Sequence, residues 1–250
     1  MKSPALHQLG RLLGLLLLSL LALQLYFLLR IALMAVVDPQ STSFQRSEAW
    51  RLLRERGRID WSQQWVAEER IAATLKRAVI ASEDAAFTEH GGVEWDAIER
   101  AWERNQRAEA RAEQRHHRDD PGRPAIAAKV VGGSTITQQL AKNLFLSSER
   151  TALRKGQEFV LTLALETCLS KRRILEIYLN NVEWGEGLFG AQAAARHYYR
   201  VDAAQLGVFP AARLAVMLPA PKRFEKRPAS PYVMGRAATV VARMGAVELP

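Results

Sequence analysis

The sequence predicts an all-α domain that follows one apolar N-terminal helix. Two observations support this class: apolar residues recur at helical spacing along most of the chain, and no run alternates with a clean period of two. No β-α-β spacing is present either, which argues against a parallel sheet. With 250 residues, 48% of them hydrophobic, the chain is long enough for one sizeable domain with a packed core.

The N-terminal helix is predicted over residues 12–37, where the run LLGLLLLSLLALQLYFLLRIALMAVV is almost wholly apolar. The part before Arg30 approaches the roughly 20 residues that cross a bilayer, and Tyr26 and Phe27 are typical interfacial anchors. A cleaved signal peptide is the alternative, although its apolar region usually has only about 7–15 residues. We therefore expect a cytoplasmic tail over 1–11, a transmembrane anchor over 12–37 and an extracytoplasmic domain over 38–250.

Polar or glycine-rich segments separate the predicted elements of the domain. A charge-dense segment, about 108–129, is predicted to be a mobile surface insert rather than core. The aromatic stretch with Trp61, Trp65 and Val66 is predicted to pack on the domain, with a place at the membrane interface as the alternative. Helices are predicted over residues 47–58, 71–82, 94–107, 154–169, 169–181, 191–199, 203–217 and 232–244.

Charge and cysteine content limit the function classes. The formal net charge of +9 fits nucleic acid, an anionic membrane surface or a phosphorylated substrate. Nucleic acid is disfavoured, because no recognition motif is present and the chain carries a membrane helix. The single cysteine, Cys168, allows no intrachain disulfide and is predicted to be a small buried apolar residue. No metal site is predicted, since His116 and His117 lack a third ligand.

An ionisable cluster follows the predicted helix over residues 71–82. Glu83 and Asp84 lie directly after apolar residues, and desolvation there would raise a carboxyl pKa into a range that suits general acid or base catalysis. Phe87 is predicted to be a core anchor, and His90 a hydrogen-bonding residue that orients the carboxylates. A helix-end salt bridge is the alternative that these residues alone leave open.

A second polar cluster spans residues 132–143. Its hydroxyls and amides come from Ser134, Thr135, Thr137, Gln138 and Gln139. Each of these polar groups needs a hydrogen-bond partner if it is buried. So many of them in one run therefore suit a site that binds a sugar or a phosphate. The run lacks the order of a nucleotide-binding P-loop.

Basic residues follow this run closely. Lys142, Arg150, Arg154 and Lys155 form a cationic group suited to a diphosphate. The alternative is a solvated basic face in which Arg154 and Glu158 make a surface ion pair, worth about 0.3–0.5 kcal/mol.

Together the motifs resemble those of the peptidoglycan glycosyltransferase (transglycosylase) family, specifically its monofunctional, membrane-anchored members. The matching pieces lie between about Ile71 and Pro221, in the family's order. They are E-D-x-x-F-x-x-H from Glu83, the 132–143 run, R-K-x-x-E from Arg154, K-x-x-I-L-E-x-Y-L-N from Lys171, and G-x-x-G from Gly187. The resemblance implies a lysozyme-like helical domain with a small membrane-proximal lobe, on the periplasmic side of the bacterial inner membrane.

The resemblance also implies a reaction. The family polymerises lipid II into β-1,4-linked glycan with inversion, and undecaprenyl diphosphate leaves. Glu83 matches the general base that takes a proton from the acceptor hydroxyl, and Glu158 matches a second carboxylate that assists the leaving group or positions the cations. Substrate-binding roles are implied for Asp84, Phe87, His90, Arg100, Ser134, Thr135, Gln138, Gln139, Lys142, Asn143, Arg150, Arg154 and Lys155.

No cofactor is required by the resemblance, although a divalent cation such as Mg²⁺ could help neutralise the diphosphate. The implied partners are lipid II, the growing glycan, the membrane and other cell-wall synthesis proteins. Because the sequence holds no S-x-x-K or K-T-G motif, we expect no transpeptidase activity. Two departures stand out: Glu94 replaces the family's usual aspartate, and the segment over 108–129 is unusually long.

A lysozyme-like hydrolase and a non-catalytic cell-wall scaffold are the alternative functions. The cationic group disfavours the hydrolase, because cleavage of a neutral glycosidic bond needs no diphosphate site. The presence of both Glu83 and Glu158 disfavours the scaffold.

Overall fold

The computed structural model describes residues 4–119, 133–147, 149 and 151–250, without the side chains of residues 4–6 and 112–119. The all-α prediction is confirmed over these residues, apart from one very small sheet. The helices are α1 (Pro4–Leu33), α2 (Ser43–Arg56), α3 (Ala73–Glu83), α4 (Trp95–Asp119), α5 (Ile136–Phe145), α6 (Ala152–Cys168), α7 (Lys171–Asn181), α8 (Ala191–Tyr199), α9 (Val208–Met217), α10 (Pro221–Phe224) and α11 (Pro231–Met244).

Helix α1 is long and apolar enough over His7–Leu33 to cross a membrane, by length and composition. It ends four residues before the predicted boundary at Val37, because residues 34–36 form a turn. The end of α1 is attached to the domain: Ile31 and Met34 are buried, and the Arg173 guanidinium donates to the Met34 carbonyl oxygen at 2.8 Å.

The core forms where α3 packs against α9, which also packs against α11. Ile71, Leu75, Ala78 and Val79 are buried, as their helical spacing predicted. Helix α7 contributes Ile174, Leu175, Ile177 and Tyr178 to the core and contacts α5. The core therefore holds the end of α3 and the start of α5 in place, and these ends carry the two polar clusters.

A three-stranded sheet was not predicted. It consists of β1 (Ser62–Gln63), β2 (Glu183–Gly185) and β3 (Leu188–Phe189), in the order β1-β3-β2, with β1 parallel and β2 antiparallel to β3. Strands of two or three residues are too short to show alternation. The turn between β2 and β3 requires Gly187, whose φ is 67° and where a Cβ would lie 2.0 Å from the Asp60 carbonyl oxygen.

The sheet holds the aromatic stretch on the domain. Trp61 stacks on Phe189 with ring centroids 4.6 Å apart, Trp65 packs against the core, and Val66 is buried. The predicted packing of these three residues is confirmed.

The loop predicted after residue 107 is wrong over residues 108–119, where α4 continues to Asp119. This stretch is rich in Ala, Glu, Arg and Gln, which are strong helix formers, so charge density was a misleading sign of a loop. Residues 120–129 of the segment lie outside the described residues.

The helix predicted over 203–217 is also interrupted. A 3₁₀ turn occupies Ala203–Gln205, and α9 begins only after Gly207, which has extended backbone angles. Cys168 is partly rather than fully buried and packs against the core at the end of α6.

Candidate active site

Glu83 is the last residue of α3 and lies half-buried at the wall of a cleft. The Gln139 side-chain amide donates to its carboxylate at 3.0 Å. The same Gln139 accepts a hydrogen bond from the Tyr178 hydroxyl at 2.9 Å, and Tyr178 is fully buried. A carboxylate from the first polar cluster is thus held by an amide from the second cluster, which is itself fixed by the core.

Burial raises the pKa of Glu83 above the usual range of a glutamate. The hydrogen bonds from Gln139 and Ser82 lower that pKa in part, and the neighbouring charge of Asp84 raises it. The environment therefore makes Glu83 a stronger base than an exposed glutamate, which fits proton abstraction from a sugar hydroxyl.

The pH dependence of activity tests this environment. Since a base must be unprotonated, we expect kcat/KM to rise with pH on an acid limb whose midpoint lies above the usual pKa of a glutamate. Replacing Gln139 with Leu removes a hydrogen bond that favours the carboxylate, so the pKa should rise further. The limb should then move to higher pH, and a limb that stays in place or moves to lower pH would contradict the assignment.

Asp84 connects the two polar clusters. One of its oxygens accepts the Ile136 backbone N–H at 2.9 Å, and the other lies 2.8 Å from His90 Nε2. The Gly92 N–H donates to His90 Nδ1 at 3.1 Å, so the ring proton is on Nε2 and is donated to Asp84. Asp84 and His90 therefore hold the start of α5 against the end of α3, as the orienting role predicted for His90 requires.

Phe87 is fully buried in the core, with the Lys171 ammonium 4.6 Å from its ring centroid. The prediction that it anchors the core is confirmed. Phe87 has no exposed surface here, so its implied contact with substrate stays a prediction that this structure does not support.

The start of α5 is fixed by a capping box. The Thr135 hydroxyl accepts the Gln138 N–H at 3.1 Å, and the Gln138 side-chain oxygen accepts the Thr135 N–H at 3.1 Å. The Thr135 hydroxyl also donates to the Gly92 carbonyl oxygen at 2.6 Å. This T-x-x-Q spacing could have been recognised in the sequence. Polar groups that suggested only a ligand site therefore also hold the helix start.

Two members of the cationic group, Arg154 and Lys155, lie on the first turn of α6, and Lys142 lies on α5. Glu158 is 3% exposed and accepts a hydrogen bond from Arg154 at 2.7 Å and another from Lys155. The Arg154 Nε atom is buried and has no hydrogen-bond partner within the described residues. An exposed ion pair is thus excluded for Arg154 and Glu158. The Arg154 side chain is still 16% exposed, so its guanidinium can also contact an anionic ligand.

Two cavities that share Ser134 form the cleft. The smaller, about 100 Å³, adjoins the end of α3 and is lined by Glu83, Asp84, Glu94, Ala97, Arg104, Gly133, Ser134 and Thr135. The larger, about 270 Å³, adjoins α6 and is lined by Phe44, Ser134, Gln138, Gln139, Lys142, Leu146, Ser147, Arg154, Lys155 and Glu158. The cleft therefore runs from the candidate base to the cations.

Most of the predicted site residues line this cleft. Phe87 and His90 line neither cavity. Arg100 is paired with Glu94 at 2.5 Å and lines neither cavity, and Asn143 lines neither. Arg150 lies outside the described residues. Phe44 and Arg104 also line the cleft and were not predicted. Phe44 is distant in sequence from every motif, and Arg104 follows Arg100 by one helical turn.

Asp84, His90 and Glu94 bring ligand atoms within 4.8 Å of one another. Asp84 and His90 use these atoms for the hydrogen bonds that join α3 to α5, and Glu94 is paired with Arg100. In the described residues these three side chains therefore have a structural role, and they offer little coordination to a metal ion.

A helical domain with a desolvated carboxylate at one end of a cleft and a cation-bound carboxylate at the other has the features of a glycosyl-transferring enzyme. A family model described as Transglycosylase matches residues 51–115 and 123–245. The chain belongs to this family. The match omits residues 116–122, inside the charge-dense segment.

Curated relatives of the chain carry names that are consistent with this family. The chain is 52% identical to a biosynthetic peptidoglycan transglycosylase of Burkholderia pseudomallei, over 92% of this chain and 83% of the relative. Proteins of the same name from Burkholderia thailandensis and Burkholderia orbicola are 51% and 50% identical, over 92% of this chain and 83% and 86% of the relatives.

Proposed function

We propose that this chain is a peptidoglycan glycosyltransferase that polymerises lipid II into β-1,4-linked glycan strands and releases undecaprenyl diphosphate. One observation carries the proposal: a single cleft joins Glu83, whose pKa is raised by burial, to the cationic group around Glu158. A reaction in which a hydroxyl attacks a sugar that bears a diphosphate needs a base at one end and cations at the other.

In this mechanism Glu83 takes the proton from the 4-hydroxyl of the acceptor GlcNAc. The hydroxyl oxygen forms a bond to C1 of the donor MurNAc as the bond between C1 and the diphosphate oxygen breaks. Attack from the face opposite the leaving group converts the α-linked donor into a β-linked product, so the reaction inverts. Gln139 holds the carboxylate in one orientation through its hydrogen bond to Tyr178.

The leaving diphosphate gains negative charge, and Arg154, Lys155 and Lys142 line the cavity where it would lie. The Arg154 side chain is 16% exposed and lines this cavity, which supports a direct contact between its guanidinium and a phosphate oxygen. Glu158 accepts hydrogen bonds from Arg154 and Lys155. We therefore assign Glu158 as a positioning residue that fixes the two cations, rather than as the residue that protonates the leaving group.

We propose no resident cofactor. Both oxygens of Glu158 accept hydrogen bonds from cations, so this carboxylate offers Mg²⁺ little coordination. A divalent ion would therefore arrive with the diphosphate, and the chain's own groups supply the steps described above.

The chain would be a single-pass protein of the bacterial inner membrane, with α1 as an uncleaved anchor and the domain on the periplasmic side. The apolar length of α1 and its packed contacts with the domain support this arrangement. A lipid-linked substrate would then meet the cleft at the membrane surface.

Two substrates distinguish this function from the alternatives. Purified full-length protein is incubated with lipid II in one reaction and with preformed glycan in another. The glycosyltransferase lengthens glycan from lipid II and leaves preformed glycan intact. Shortening of preformed glycan would support the lysozyme-like hydrolase, and no turnover of either substrate would support a non-catalytic scaffold.

A further inference from the structure

Helix α1 is attached to the domain by a defined face. Gln24, Phe27, Ile31 and Met34 recur at helical spacing and are less exposed than their neighbours. The Gln24 and Gln157 side chains exchange two hydrogen bonds, at 2.9 and 3.1 Å, which satisfy both amides in an apolar setting. This pairing holds α1 alongside α6, the helix that carries Arg154 and Lys155.

An apolar groove of about 330 Å³ lies between these two helices. It is open on one side, where Leu25 and Val160 are about half exposed. The one polar side chain in its described lining, Gln24, is paired with Gln157. The lining residues are Gln24, Leu25, Phe27, Leu28, Val160, Leu161 and Ala164.

The groove and the cations lie on adjoining parts of α6. Arg154 and Leu161 are seven residues apart, so they share nearly the same helix face and are separated by about 10 Å along the axis. The cationic end faces the cleft, and the apolar end faces α1. This order of charge and apolar surface matches an amphiphile with an anionic head and a long hydrocarbon tail.

We propose that the groove binds the polyprenyl tail of the substrate whose diphosphate is held by Arg154 and Lys155. The proposal rests on the proposed function, because it takes the diphosphate site as given. Helix α1 then serves as one wall of the substrate site as well as an anchor. Burial of the tail in the groove would make turnover depend on tail length, since each buried methylene contributes about 0.8 kcal/mol.

The test compares two substrates on variants of the full-length chain. One lipid II carries the long natural tail, and the other carries a short, water-soluble tail that does not reach the groove. Val160→Trp fills the groove from α6, and Leu28→Trp fills it from α1. We expect either change to lower kcat/KM about tenfold for the long-tailed substrate, the loss expected when roughly two methylenes leave the groove, and to leave the short-tailed substrate within about twofold.

Leu163→Trp is the matched control. Leu163 lies on the same helix, is 44% exposed against 46% for Val160, and does not line the groove. It should change neither rate. Equal losses on both substrates would overturn the proposal, because they would indicate a general defect of the fold. Unchanged rates of Val160→Trp and Leu28→Trp on the long-tailed substrate would overturn the proposal as well. That result would indicate that acyl chains of the surrounding lipid, and not the substrate tail, occupy the groove.

The proposal and the function can fail separately. Wild-type protein that polymerises the short-tailed substrate retains the proposed function whatever the groove variants do. If wild-type protein polymerises neither substrate, the proposed function is wrong.

Discussion

Glu83→Gln is expected to abolish glycan polymerisation, with a loss of roughly 10³-fold or more in kcat, and to leave lipid II binding intact. The amide keeps the size and the hydrogen-bonding position of the carboxylate beside Gln139, but it cannot accept a proton from the acceptor hydroxyl. Polymerisation is measured by the length of glycan formed from lipid II, and binding is measured separately with the same substrate.

Glu89→Gln provides the control for this substitution. Glu89 lies six residues further along in the same segment and is exposed, so the same chemical change removes one charge outside the cleft. Its activity should match wild type. Substantial polymerisation by Glu83→Gln would mean that another group takes the proton.

Arg154→Ala is expected to lower kcat by about 10²–10³-fold, because it removes a donor aimed at the charge that develops on the leaving diphosphate. The change also takes one cation away from Glu158, which is buried and would keep Lys155 as its described partner. Initial rates of polyprenyl diphosphate release at several lipid II concentrations separate kcat from KM.

Arg236→Ala removes an exposed charge from α11 and serves as the control, with little expected change in rate. A higher KM with unchanged kcat in Arg154→Ala would contradict the account. Such a result would place the role of Arg154 in ground-state binding and not in stabilisation of the transition state.

Local patterns in the sequence were sufficient for the elements that depend on neighbouring residues. Helix α8 was predicted over its observed span, and the end of α3 at Glu83 follows from apolar spacing that stops there. Glu83, Gln139 and the Arg154–Glu158 pair were likewise predicted, because each lies within a short motif. Their roles came from the resemblance to the family, since the residues alone allowed a salt bridge or a basic surface instead.

Features that depend on tertiary contacts could not be predicted. Phe44 reaches the cleft only because α2 packs beside α5, and nothing near residue 44 indicates this contact. The small sheet joins residues 62–63 to 188–189, which are far apart in the sequence. The burial of Glu158 likewise depends on how α5 and α6 pack. This burial distinguishes a carboxylate that positions cations from one in an exposed ion pair.

In the proposed reaction, one diphosphate leaves as each glycan bond forms in this cleft. The direct test follows lipid II with purified full-length protein and measures both polyprenyl diphosphate and glycan. We predict that released polyprenyl diphosphate equals the number of new β-1,4 bonds, and that both fall together in Glu83→Gln. Diphosphate release without glycan growth, or glycan shortening, would contradict the claim.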